Sequence, residues 1–131
     1  MNEAKIPIPL GAAATVLAVE DELHVRLLIA EYLRDEGYRV IEARDGEEAL
    51  SILRAVEGVD LVITDIDMPG SLDGIRLAQQ VKQHYQLPVI LMSGRYSSTV
   101  TAEIADAFFA KPFDLEKLAA AAAKLLEGTE P

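Results

Sequence analysis

The sequence contains no cysteine, which excludes disulfide stapling, thiolate zinc sites and cysteine nucleophiles. Aromatic residues make up only 5% of it, too few for a sandwich with aromatic layers. Basic residues are also scarce. Twelve Lys and Arg against 22 Asp and Glu leave a net charge of −10. Such a surface repels phosphate backbones and anionic lipid, which argues against direct DNA or membrane binding. No apolar run reaches the roughly 18 residues of a membrane span, and the N-terminus lacks the basic-then-apolar order of a signal peptide. What is present is one domain's worth of chain: 131 residues, half of them apolar and nineteen of them alanine. That mix favours Ala-rich helices packed closely on another layer. We expect one cytoplasmic domain over residues 15–127, with tails at 1–14 and 128–131. In the first tail, Ile6, Ile8 and Leu10 are the residues that can touch the body.

From Thr15 onward two kinds of segment alternate. TVLAV (Thr15–Val19), YRVIEA (Tyr38–Ala43), DLVIT (Asp60–Thr64), PVILM (Pro88–Met92) and AFFA (Ala107–Ala110) are short apolar runs of the right length for strands buried on both faces. Between them, apolar residues recur at helical spacing. Val25, Leu28, Ile29, Tyr32 and Leu33 form one stripe, with Gly37 as a stop signal. Ala49, Leu50, Ile52, Leu53 and Val56 follow Asp45, Ile75, Ala78 and Val81 follow Asp73, and Leu115, Leu118, Ala119, Ala122, Leu125 and Leu126 follow Asp114. Strands alternating with helices predict an α/β, doubly wound, five-stranded parallel sheet with about five helices on its two faces. In such sheets ligands bind at the carboxyl ends of the strands.

The residues at those ends share one chemistry. Strand one ends in Glu20-Asp21-Glu22, strand three in Asp65-Ile66-Asp67-Met68-Pro69-Gly70, strand four in Ser93-Gly94 and strand five in Lys111-Pro112. If strands one and three are neighbours, Glu20, Asp21 and Asp65 converge, and like charges that close raise one another's pKa. A hard divalent cation resolves the conflict. Mg2+ is favoured, with Mn2+ as a substitute, because it needs few protein oxygens and keeps its waters and a phosphate ligand. Lys111 and Ser93 suit the oxygens of an incoming phosphoryl group. Asp65, ending the most hydrophobic strand, is then the candidate nucleophile toward phosphorus, with Glu20 and Asp21 as metal ligands.

Each residue also has a plainer reading. Acidic residues after a strand cap helices; Asp65 could open a turn, Ser93-Gly94 could be a loop, and Lys-Pro could mark a chain break in secondary structure. The functional signal lies in the set. His24 and His84 read as solvated helix residues, and Tyr85 and Tyr96 as packing or surface residues.

Taken together, Glu20-Asp21, Asp65 with Met68-Pro69, Asp73-Gly74, Ser93 and Lys111-Pro112-Phe113 resemble the receiver domain of bacterial two-component response regulators, over Thr15 to about Leu126. The resemblance implies a flavodoxin-like strand order 2-1-3-4-5 and a cis Lys111–Pro112 bond. It implies that Asp65 accepts a phosphoryl group from a histidine kinase or histidine phosphotransfer protein. Mg2+ would lie on Asp21, Asp65 and the main-chain carbonyl of Asp67, with Glu20 acting through water. Ser93 and Phe108 would be the switch residues, and Asp67 and Arg95 would tune dephosphorylation. The altered surface would be read by a downstream protein partner, and the oligomeric state is left open.

The sequence departs from that pattern in places. Glu20 stands where Asp is commoner, and the loop Met68–Gly74 is one residue longer than usual, which should change the approach to the third helix without moving Asp65. Phe108 lacks a tyrosine's hydroxyl. Only 18 positions separate Ser93 from Lys111, so the helix expected within residues 94–106 should be short, frayed or displaced. With nothing beyond Pro131, we expect a stand-alone signalling switch, not an enzyme beyond its own phosphorylation and slow dephosphorylation. Two other readings remain open here: a haloacid-dehalogenase-type phosphatase using Asp65-Ile66-Asp67 as its D-x-D, and a degenerate receiver acting as an unphosphorylated scaffold.

Overall fold

The computed structural model describes residues 13–96 and 103–127. Nine elements follow in order: β1 (Thr15–Val19), α1 (Leu23–Asp35), β2 (Arg39–Ala43), α2 (Gly46–Ala55), β3 (Val59–Asp65), α3 (Gly74–His84), β4 (Val89–Ser93), β5 (Ala107–Ala110) and α4 (Leu115–Leu126). The strands form one sheet in the order β2-β1-β3-β4-β5, every pairing parallel. The expected strands differ from these by a residue at most at either end. Four helices are present among the described residues, one fewer than expected. The short helix anticipated within 94–106 falls largely on residues 97–102, outside the described ones. Residues 94–96 and 103–106 on either side are not helical. Ile6, Ile8 and Leu10 likewise lie outside the described residues.

Local chemistry sets the helix ends. Asp45, Asp73 and Asp114 each accept a hydrogen bond from a main-chain N–H of the following turn, from Glu48, Arg76 and Glu116. Glu22 does the same for α1 through Val25, so one member of the acidic run after β1 is a cap, the plainer of its two readings. Helix α1 stops at Gly37, whose φ of 102° is open to glycine. Its N–H donates to the Arg34 carbonyl and the N–H of Tyr38 to that of Leu33, the paired bonds of a Schellman stop.

Alternation along the strands divides the core in two. Val16, Ala18, Leu61, Ile63, Ile90 and Met92 face α1 and α4, where Ile29, Leu33, Leu118, Ala119 and Ala122 meet them. Leu17, Val19, Val62, Val89 and Leu91 face α2 and α3, against Ala49, Leu53, Leu77, Ala78 and Val81. Both faces of β1, β3 and β4 are covered, which explains why those strands read as unbroken apolar runs. No helix among the described residues is long and apolar enough to cross a membrane.

The long loop after β3 leans on α2. Ser71 Oγ donates to Glu47 Oε2 at 3.2 Å, and Leu72 lies so close over Gly46 that a Cβ there would stand 2.5 Å from the Leu72 carbonyl oxygen. The loop is therefore braced beside α2, and Asp65 is the last residue of β3.

Candidate functional site

Because β1 and β3 are neighbours, their carboxyl ends bring Glu20, Asp21 and Asp65 together, with one carboxylate oxygen of each within 4.8 Å of the others. Glu20 and Asp65 are buried and Asp21 is exposed. From the end of β5, Lys111 Nζ reaches Glu20 Oε1 at 3.0 Å and Asp65 Oδ1 at 3.3 Å. The Lys111–Pro112 peptide bond is cis.

Burial dominates the electrostatics. Desolvation pushes the Asp65 carboxyl above its ordinary range, and the Lys111 ammonium offsets only part of this. Glu20 moves up for the same first reason, with the charge of Asp65 adding to it and the Glu22 N–H and Lys111 opposing it. Burial works against the Lys111 ammonium too, yet its hydrogen bond to Glu20 and the charge of Asp65 together prevail and hold its pKa above the usual lysine value. One ammonium thus serves two buried carboxylates. Asp65 Oδ1 is buried and accepts no hydrogen bond from the described residues, since its contact with Lys111 is out of line for one. A buried carboxylate oxygen that meets only an ammonium already bonded to Glu20, within an all-oxygen, anionic donor set, fits a hard divalent cation.

Ser93 and Asp67 lie beside this cluster. The fully buried Ser93 hydroxyl donates to Asp67 Oδ2 at 2.9 Å and accepts from the main-chain N–H groups of Arg95, at 2.9 Å, and Tyr96, at 3.0 Å. Arg95 Nε closes the group by donating to Asp67 Oδ1 at 3.1 Å. An open cleft of about 470 Å³ between Ile66, Met68, Asp73 and Tyr96 is bordered by the same Asp67 and Arg95. Phe108 is half-buried against the α2/α3 side of the core, the side that Tyr96 also packs on. His24 and His84 are exposed helix residues.

Two supports were not legible in the sequence. Arg26, on α1, donates from Nη1 to the Glu20 carbonyl at 2.8 Å and from Nε to Glu42 on β2 at 3.2 Å, pinning the chain where it leaves β1. One partner is a main-chain carbonyl just past β1 and the other lies on β2, so no spacing along the chain pointed to it. Gly74 lies directly against Asp65: a Cβ there would fall 2.1 Å from the Asp65 carbonyl oxygen and 2.6 Å from Ile66 Cα.

Residues 16–123 match the family of response regulator receiver domains. The chain belongs to that family. Among relatives of this receiver domain, the response regulator GtcR of Aneurinibacillus migulanus is 40% identical over 121 residues, which cover 88% of this chain and 49% of GtcR. The sensor kinase CckA of Brucella abortus is 38% identical over 124 residues, 90% of this chain and 13% of the kinase. The receiver domain therefore spans less than half the length of either relative. Solved structures agree in fold. TrrA of Thermotoga maritima, solved in complex with Mg2+-BeF, has a TM-score of 0.78 and 34% identity, covering 86% of this chain and 99% of its own. The chemotaxis protein CheY4 of Vibrio cholerae has a TM-score of 0.79 and 30% identity, covering 88% and 100%. The family match and the 2-1-3-4-5 sheet leave the phosphatase reading of Asp65-Ile66-Asp67 without support.

Proposed function

We propose that this receiver domain, over residues 15–127, is a phosphoryl acceptor that takes the group onto Asp65. The donor is a phosphohistidine on a histidine kinase or phosphotransfer protein in the cytoplasm. The product is a protein switch read by a further protein partner rather than an enzyme or a DNA-binding surface. The observation that carries this reading is the convergence of Asp65 with Glu20, Asp21 and Lys111 from the ends of three different strands. A scaffold that is never phosphorylated has no use for three carboxylates crowded within 4.8 Å around one ammonium, two of them buried.

In the reaction, an Asp65 carboxylate oxygen attacks phosphorus in line with the bond to the histidine ring. The P–N bond breaks, and the bond pair stays with a ring protonated on its other nitrogen, which departs as neutral imidazole. Lys111 offers its ammonium to the phosphoryl oxygens and to the charge left on the acceptor side. Glu20, Asp21, Asp65 and the Asp67 carbonyl would hold Mg2+, which supplies charge neutralisation for the dianionic group. Arg26 fixes the Glu20 main chain, and Ser93 and Phe108 are the residues whose rearrangement would carry the new charge to the surface. Asp67 and Arg95, at the cleft, would govern access to the aspartyl phosphate and so its lifetime.

Incubation with acetyl phosphate and Mg2+ should add one hydroxylamine-labile phosphoryl group by intact mass, and no gain would overturn the reading in favour of the scaffold. Mg2+ should also protect the fold. Without it, the raised pKa values of Glu20 and Asp65 mean that the folded chain binds protons more tightly than the unfolded one. The stability owed to this pair then falls as pH rises from the ordinary carboxylate range through those raised values. Mg2+ binds the ionised pair, so its effect has the opposite sign, largest at neutral pH and fading in acid as protons compete. At 100 times its Kd the gain is about 2.7 kcal/mol, measurable as a melting shift at pH 7.5 that shrinks toward pH 5.

A further inference from the structure

Ser93 has a single hydroxyl proton, and that proton is committed. It goes to Asp67, not to the neighbourhood of Asp65, while both lone pairs of Oγ accept the N–H groups of Arg95 and Tyr96. Asp67 is itself held, since its other oxygen receives Arg95 Nε, and Ser93 is fully buried, so water does not compete for its proton. A phosphoryl group on Asp65 that is to be bonded by this hydroxyl must take the proton from an anion already holding it. We propose that the Asp67 side chain is a latch: with Arg95 as its counter-ion, it holds Ser93 in the unphosphorylated arrangement and competes with the phosphoryl group for the one hydroxyl proton. Asp67 thus acts as a positioning residue through its carboxylate, a role separate from that of its main-chain carbonyl. The inference rests on Asp65 being the acceptor.

The geometry separates the latch from a simple charge effect. Removing the Asp67 carboxylate would favour an incoming anion by electrostatics alone, whatever Ser93 does. A latch acts only through the hydroxyl, so its contribution must vanish when the hydroxyl is gone. Beryllofluoride with saturating Mg2+ is a suitable probe, because it tests the phosphorylated arrangement without turnover. Its affinity should be set by the fraction of molecules in which Ser93 is released.

The experiment is calorimetric titration of beryllofluoride into the wild-type chain, Asp67→Ala, Ser93→Ala and the double variant, with acetyl phosphate uptake measured in parallel. A charge-assisted hydrogen bond that no longer has to be broken predicts binding about tenfold tighter in Asp67→Ala than in wild type. In the Ser93→Ala background the same substitution should give less than half of that gain. Main-chain hydrogen exchange at Arg95 and Tyr96, read without any ligand, should quicken in Asp67→Ala, because their acceptor oxygen loses its own anchor. Equal gains in both backgrounds, or unchanged exchange at those two amides, would overturn the latch while leaving Asp65 as the acceptor. A wild-type chain that neither binds beryllofluoride nor takes up a phosphoryl group would overturn both.

Discussion

Asp65→Asn should abolish phosphoryl uptake and, in the absence of divalent cations, melt higher than the wild type. The first effect follows from removing the attacking oxygen's charge. The second follows from the surroundings of Asp65, which is 2% exposed, lies within 4.8 Å of two other carboxylates, and has an oxygen that accepts no hydrogen bond among the described residues. Desolvation dominates its titration and raises its pKa, so at neutral pH the ionised group opposes folding. A neutral amide of the same shape removes that penalty and leaves Lys111 to Glu20, its shorter contact at 3.0 Å. We expect a gain of about 1 kcal/mol, which is roughly 3–5 °C in melting temperature for a domain of this size. The gain should narrow as pH falls, because wild-type Asp65 then protonates and becomes neutral too. Adding Mg2+ should narrow it as well, because the cation rewards the carboxylate and not the amide. A variant that melts below the wild type at pH 7.5 without divalent cations would show that the attraction of Lys111 outweighs desolvation.

Gly74→Ala should be strongly destabilising. Two of the three atoms nearest the added carbon are the carbonyl oxygen of Asp65, at 2.1 Å, and Ile66 Cα, at 2.6 Å. Both are main chain of β3 and its exit, and the Gly74 N–H donates to the Ile66 carbonyl at 3.1 Å, so the helix start cannot retreat without losing that bond. A side chain would rotate away; a backbone cannot. We expect a loss of about 3–5 kcal/mol by urea denaturation, and in the fraction that stays folded a displaced Asp65 and weakened phosphoryl uptake. Gly46→Ala is the natural comparison. Its contacts are with Leu72 in the loop, at 2.5 Å to the carbonyl oxygen, and a surface loop can give where a central strand does not. It should cost less and leave phosphoryl uptake near that of the wild type. Equal losses in the two variants would contradict this account of where the rigidity lies.

The two glycines show what sequence reasoning can and cannot see. Gly37 is legible because its role is local: a left-handed residue just past a helical stripe is a stop signal wherever the helix goes. Gly74 has an ordinary place behind a cap, and its importance comes from a strand nine residues earlier being pressed against it. The same contrast runs through the charged residues. Asp45, Asp73 and Asp114 declare themselves as caps through their spacing to the next turn. Arg26 does not declare itself, because its partners, the Glu20 carbonyl just past β1 and Glu42 on β2, are brought together only by the pairing of those strands. Ser93 and Lys111 could be placed at strand ends, but not the direction in which the Ser93 hydroxyl points.

The sequence by itself determined the alternation of strand and helix, the strand limits, the caps, and the set of oxygens and one amine at the carboxyl edge. These depend on periodicity and on interactions within a turn or two, which neighbouring residues encode. Only the tertiary structure decided that Asp67 holds Ser93, that Gly74 underlies Asp65, and that one lysine is shared between two buried carboxylates. Those outcomes depend on the register of parallel strands and the direction of each side chain, and both are fixed by how the two core layers pack against the sheet rather than by any short stretch of chain.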